Sequence, residues 1–393
     1  MNETHAARRF LTFGAAINAF VYAIIVFIVG VSLPTLTEKF GLTNTQKGML
    51  ISVQNVAILL TILCVGPILD RIGQKPVLIT GALLIALAVI GIGLAPSYLV
   101  LLGILFILGV GAGCNNIGGS TLITDLYPQN PGRALNLITS TFGAGAIGIP
   151  LLGSLLIQPI GFLGYLSILT IIACIPFIVF TFSTFPKAKQ VDKFVLHDMF
   201  KVIAKPIVFF IGAVLFFYVA LEISTAGWLK DYVIAKFGLT DRTSGFVLTG
   251  FSVMLMLGRV LAGFILDKLK GMYLVVWCAL ISIVGLVLMI MTDNLLISII
   301  GVMITGLAYA PIYPTSLGQV GENFQAYIAT IMGTVTTLAF LGAICLPYLI
   351  GRLGGNLNVM ILAAVLMLVF QLLLVASIRR KSAAPEVVEG ISP

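Results

Sequence analysis

Twelve apolar runs divide this chain, and its charges gather in the gaps between them. With ends that shift by several residues, the runs cover 10–36, 46–69, 76–95, 98–124, 134–157, 161–185, 206–229, 243–266, 273–292, 295–318, 326–350 and 356–378. A helix crossing a bilayer needs roughly 20 mostly apolar residues. The pattern therefore predicts an all-α integral membrane protein with twelve transmembrane helices.

The polar punctuation repeats. Gly66-Pro-Ile-Leu-Asp70-Arg71-Ile-Gly73-Gln-Lys75 separates the second and third runs, and Gly263-Phe-Ile-Leu-Asp267-Lys268-Leu-Lys270 follows 197 positions later. The same offset carries Phe40-Gly41-Leu42-Thr43 onto Phe237-Gly238-Leu239-Thr240, and Gly48 onto Gly245. It also maps Gly109 onto Gly306, Gly145 onto Gly342 and Pro150 onto Pro347. One offset shared by separated matches marks an internal repeat. Each repeat holds six spans, so the two halves run in the same sense about an axis along the membrane normal. The expected organisation is an N-terminal six-helix bundle (1–185), a polar, basic cytoplasmic linker (186–205) and a C-terminal six-helix bundle (206–380). The Pro-, Ser- and acid-containing tail, 381–393, is expected to be disordered.

Composition agrees with a lipid-dissolved chain: 60% of residues are hydrophobic and 9% charged, with a mean hydropathy of +1.15. Soluble domains are closer to half apolar and a quarter charged. The net charge of +8 suggests nucleic acid until its positions are read. With the N-terminus inside, fifteen bases fall on inner segments and six on outer loops. That bias predicts cytoplasmic termini and a multi-pass protein of a bacterial cytoplasmic (inner) membrane. Bases spread over every inner loop form no nucleic-acid module. The five cysteines lie inside apolar runs without metal spacing and read as packing residues. The first run is span-length and continues the repeat, so it is read as part of the mature protein.

Twelve helices in two parallel halves, with Gly66, Asp70, Arg71, Gly73 and Lys75 between spans two and three, resemble the major facilitator superfamily over nearly the whole chain. The loop departs mildly from that pattern, with Gln74 where a base is common and Lys270 in place of the later glycine. The resemblance implies a cytoplasmic latch, echoed by Asp267 and Lys268. A carboxylate near a helix N-terminus is stabilised by roughly 0.3–1 kcal/mol. Gly143-Ala-Gly145-Ala-Ile-Gly148-Ile-Pro150 puts small residues where helices approach closely. The superfamily's antiporter signature has Gly directly before Pro here; in this chain Ile149 intervenes.

Candidate chemistry lies where lipid and packing do not ask for polarity. Among the fourteen acids, Glu222 is the one well inside a span. Such a group costs about 2.5–3.5 kcal/mol at a helix centre, so it is expected to face a cavity or a partner on another helix. Tyr218, Glu222 and Thr225 share one helical face, and Trp228 reads either as a site aromatic or as an interface-belt residue. Tyr218, Glu222 and Trp228, Asn115 and Asn116 behind the span-four glycines, and Tyr309 and Tyr313 in span ten resemble the branch of fucose/proton symporters and bacterial glucose permeases. That branch commonly has an acid where this chain has Asn116. Asn18 and Tyr22, Gln54 and Asn55, and Asn136 add amides and a phenol suited to sugar hydroxyls or to bonding between helices.

Arg259 opens an anion-transport alternative, weakened by Ile62 at the matching position of the first half. Eight residues before Asp267, Arg259 is assigned to the inner gate. A proton-coupled drug or metabolite efflux antiporter is the other alternative. No phosphate-binding Gly-xxxx-Gly-Lys-Ser/Thr stretch is present, and no span carries a His, an Asp pair or a Ser–base arrangement, so an enzyme is not expected. The expectation is a monomeric secondary transporter for a small-molecule solute, a sugar. It would use no cofactor beyond a coupling ion, either a proton carried by Glu222 or sodium.

Overall fold

The computed structural model describes residues 2–127, 131–185, 205–266, 269–323 and 328–383. All regular elements among them are helices: α1 (Asn2–Phe40), α2 (Asn44–Ile72), α3 (Gln74–Leu94) and α4 (Tyr98–Leu126). A single long helix, Pro131–Phe182, follows and leaves helical geometry at Gly161 (φ 77°, ψ 165°), dividing it into α5 (131–160) and α6 (162–182). The second half contains α7 (Pro206–Phe237), α8 (Asp241–Leu266), α9 (Gly271–Met291), α10 (Leu295–Tyr309), α11 (Ile312–Asn323), α12 (Ile328–Arg352) and α13 (Asn358–Ala383).

Eleven stretches among the described residues are long and apolar enough to cross a membrane, against the twelve that the sequence predicts. The difference lies in Thr141–Phe182, whose 42 residues count as one stretch. Straight, it would run about 63 Å, twice the roughly 30 Å hydrocarbon core. The break at Gly161 folds it into two crossings. Span ten is broken in the other sense, into α10 and α11, where Pro311 and Pro314 remove backbone donors. The linker assigned to 186–205 lies outside the described residues except Lys205. Of the tail, only 381–383 is described, as the end of α13.

The repeat is written in the helix ends. Thr43 caps α2 in a reciprocal box with Gln46, and Thr240, 197 residues on, accepts from the Thr243 amide at 3.2 Å. Ser97 caps α4 through the Val100 amide, and Asn294 caps α10 through the Ile297 amide. Gly41 and Gly238 end α1 and α7 at φ 60° and 65°.

Close packing repeats too. A Cβ on Gly109 would strike the Gln54 carbonyl, and one on Gly306 would lie 2.7 Å from the carbonyl of Phe251. Phe251 itself stands 197 residues after Gln54. Gly145 packs on the Phe20 carbonyl and Gly342 on that of Phe216. These contacts bring α4 onto α2, α10 onto α8, α5 onto α1 and α12 onto α7, giving two pseudo-symmetric bundles.

The halves are bonded at the end where α1 meets α2. Gly30 packs on the Ala226 carbonyl, and Gly48 on Pro347 and Gly351. Lys47 Nζ donates to both carboxylate oxygens of Asp231, at 3.1 and 2.9 Å. The buried Lys230 Nζ donates to the Val31 carbonyl at 2.8 Å and pairs with Asp241 at 2.7 Å. Asn44 and Ser52 donate to the carbonyls of Gly354 and Ile344. On α4, Asn116 and, one turn toward the opposite end, Ser120 are exposed. Exposed polar groups inside a span point to a cavity between the halves.

Candidate functional site

The helices around this cavity bring together residues from both halves. Glu222, on α7, faces Arg259 on α8, with Oε1 3.8 Å from a guanidinium nitrogen. Their side chains are 17% and 36% exposed, respectively. The sequence assigns Arg259 to the inner gate beside Asp267. The structure places it against Glu222, because α7 and α8 are antiparallel neighbours and their chain separation says nothing about depth. Arg259 also lies 5.9 Å from the Phe142 ring of α5, so it sits between the halves.

Tyr218, one turn before Glu222, points its hydroxyl toward the same ion pair. Its ring meets Tyr309 edge-on at 6.0 Å and Tyr313 at 6.1 Å. Phe251 adds a further edge contact to Tyr309 at 6.4 Å. Tyr218 and Tyr309 are fully buried, the Tyr218 hydroxyl beside Glu222 and Arg259 and the Tyr309 hydroxyl beside Thr225. From the first half, Tyr22 lies within electrostatic reach of Glu222 and Tyr313, with Asn116 beside its hydroxyl. Tyr22 also packs against Phe142 at 6.1 Å. A recess of about 120 Å³ between α5 and α8, walled by Phe142, Ala146, Ser252, Leu255 and Met256, adjoins Arg259.

Other sequence-selected residues are used between helices or on their own helix. Asn18 donates to the Asn115 carbonyl at 3.3 Å, and the Asn115 side chain is buried facing α3 at Gly81. Gln54 donates to the Ile25 carbonyl of α1, while Asn55 and Thr225 bond back to Ile51 and Leu221 on their own helices. Trp228 is 2% exposed and lies beside Gly227, which packs on Ile51, so it is no lipid-interface aromatic.

Among the gate residues, Gly73 makes the α2–α3 turn at φ 82°, a conformation that glycine allows without strain. Lys75 donates to the Ser183 carbonyl at 2.8 Å, tying α3 to α6 within one half. Gln74, standing where a base is common, donates to Asp125 at 2.6 Å. Gly66, Asp70, Arg71 and Asn136 lie on described helix backbone with side chains outside the described set, and Asp267 and Lys268 lie outside it altogether.

Sequence reasoning missed Phe142 and the Lys47–Asp231 and Lys230–Asp241 pairs. Phe142 is one apolar residue among many, with no signal of its own. The pairs left a trace: Lys230 and Asp231 end the apolar run at 229, yet α7 continues through Phe237.

Two pseudo-symmetric bundles, sealed together at one end around a polar and charged central cavity, define a multi-pass membrane transporter fold. The family model described as "Major Facilitator Superfamily" matches residues 15–347, and the chain belongs to that superfamily. It is a transporter-family protein and not an enzyme. Among curated relatives, the "Uncharacterized MFS-type transporter YfkL" of Bacillus subtilis (strain 168) is 24% identical over 88% of this chain and 90% of its own length. Among solved structures, a D-xylose-proton symporter superposes with a TM-score of 0.78 at 12% identity, covering 93% of this chain and 96% of that one. A point mutant of the nucleoside transporter NupG gives 0.74 at 15% identity, covering 93% and 99%. At these identities the structural likeness shows the fold.

Proposed function

We propose that this protein is a secondary transporter that carries a small polar solute, a sugar, by proton-coupled symport and alternating access. The observation that carries this reading is the Glu222–Arg259 pair, placed where the two halves face each other and open to the cavity. A carboxylate that changes protonation there alters the charge of the site in the step that closes it. The partly exposed rings of Tyr22 and Tyr313, the latter backed by the buried Tyr218, suit a solute with a C–H face, and Asn116 with the Tyr22 phenol suits its hydroxyls. The similarity in fold to a D-xylose-proton symporter supports the same reading. With both termini in the cytoplasm, as the positive-inside bias argues, the sealed end faces outward.

The test is a thermal-shift panel of sugars, sugar derivatives, drugs and inorganic anions on purified protein, followed by uptake of the hits into proteoliposomes. A cargo should raise the melting temperature by mass action and accumulate when the lumen is made alkaline. Accumulation that is unchanged by a protonophore would sink proton coupling, and stabilisation by drugs alone would favour efflux.

A further inference from the structure

The charges of the central site constrain the cargo more tightly than its hydroxyl-binding groups do. We infer that the transported solute carries a carboxylate, a sugar acid in place of a neutral sugar, and that Arg259 binds it when Glu222 takes up the proton. The inference rests on the proton-coupled reading above.

Charge balance comes first. The site sets the Glu222 carboxyl beside the Arg259 guanidinium. Among the described residues, the groups facing Glu222 are Tyr218 on its own helix, Arg259 on α8, Tyr22 on α1, Tyr309 on α10 and Tyr313 on α11. Of these, Arg259 alone is charged, since phenols are neutral near pH 7. If Glu222 is protonated while a neutral sugar binds, the guanidinium remains without a counter-ion as the halves close over it, and an unpaired buried charge is strongly disfavoured. A carboxylate on the cargo restores neutrality: the proton forms an O–H bond on Glu222, and the cargo replaces Glu222 beside Arg259.

Geometry agrees with that exchange. At 3.8 Å the contact is an ion pair longer than a hydrogen bond, and among the described residues the Arg259 Nε has no hydrogen-bond partner. A guanidinium presents a planar fork that a carboxylate fills with two parallel N–H···O bonds. Glu222 leaves that fork unfilled. The Phe142 ring lies 5.9 Å from the guanidinium carbon, and Tyr22 and Asn116 supply hydroxyl partners from the opposite half.

The experiment is calorimetric binding of glucuronate, glucose and benzoate to the purified full-length protein near pH 7, in two buffers of different ionisation enthalpy. Glucuronate should bind with uptake of about one proton per site, and glucose and benzoate roughly tenfold or more weakly. Glu222→Gln should bind glucuronate without proton uptake. Arg259→Gln should lose the preference for glucuronate over glucose, and Arg259→Lys, which keeps the charge but not the fork, should weaken glucuronate by about tenfold. Glucose binding as well as glucuronate, a preference that survives in Arg259→Gln, glucuronate binding without proton uptake, or binding of none of the three would each overturn the inference. The symport reading is judged separately. If pH-driven accumulation of a neutral sugar persists, the reading stands while the sugar-acid inference falls; if no solute of the panel is driven by a pH gradient, the reading itself falls.

Discussion

At the scale of single residues, the proposed function rests on a few polar groups inside the spans. Glu222 is the group whose protonation the proposed cycle requires. Replacing it with Gln keeps the shape and removes the exchangeable charge, so Glu222→Gln should abolish accumulation driven by a pH gradient while sparing counterflow exchange in proteoliposomes. Undiminished uphill transport in that variant would move the coupling site elsewhere. Asn116 and Tyr313 hold the cargo from opposite halves in this reading. Asn116→Ala and Tyr313→Ala should each weaken binding by about five- to tenfold, the worth of one lost hydrogen bond or ring contact. Their melting temperatures should fall less than that of Gln54→Ala, whose amide ties α2 to α1 at 3.2 Å. Equal binding in both variants and wild type would place the cargo against other helices.

At the scale of elements, the two halves solve the same packing problem with the same residues. Lys39 Nζ donates to the Gly93 and Ala95 carbonyls, and Lys236 Nζ donates to Ile290, the residue 197 positions after Gly93. Each lysine thus satisfies carbonyls left open at a helix C-terminus and meets the negative end of its dipole. Both count as outer-loop exceptions to the inner bias of bases, and their role is structural. The glycines make a sharper test. Gly145 and Gly342 each sit where an added Cβ would collide with a backbone carbonyl, whereas Gly103 has open space around it. Gly145→Ala and Gly342→Ala should therefore destabilise by about 1–3 kcal/mol. Gly103→Ala, in mid-helix, should be neutral or gain up to about 1 kcal/mol. Thermal or denaturant unfolding in detergent reads the difference, and an equal response at all three positions would refute the close-approach reading.

At the scale of the whole molecule, the sealed end is the barrier that the proposed alternating access would have to break. Lys47–Asp231 spans the halves with both side chains mostly buried, and the Lys230 bond to Val31 is the second tie across the same seam. A charge-assisted hydrogen bond contributes about 1.5–3 kcal/mol, and about 1.4 kcal/mol is a tenfold change in an equilibrium. Asp231→Asn should shift the population toward the state open at this end by about tenfold or more. Labelling of a cysteine placed at Ser52, whose hydroxyl bonds Ile344 across the seam, would report it as faster modification. The exchange Lys47→Asp with Asp231→Lys should restore the sealed population. Labelling that stays slow in Asp231→Asn would show that the glycine contacts hold this end without the ion pair.

Much of this was legible in the chain. Span-length apolar runs follow directly from bilayer thickness, and one 197-residue offset named in advance several glycines that the halves share and the Thr43 and Thr240 positions that cap α2 and α8. Glu222 and the tyrosines near it stood out because polarity in lipid is costly enough to need a reason. What the linear pattern left open was the direction in which each polar residue faces. In a soluble helix an apolar stripe identifies the buried face, but here the lipid-facing and packed faces are both apolar, so that signal vanishes. Asn116 and Asn115 are adjacent and chemically identical, yet one is exposed to the cavity and the other is packed facing α3. Arg259 read as a gate residue from its distance to Asp267 along α8, and only the antiparallel packing of α7 on α8 set it against Glu222. The sequence determined the spans, the repeat and the superfamily; the tertiary structure alone decided which end is sealed and which charges meet, because both depend on contacts between helices far apart in the chain.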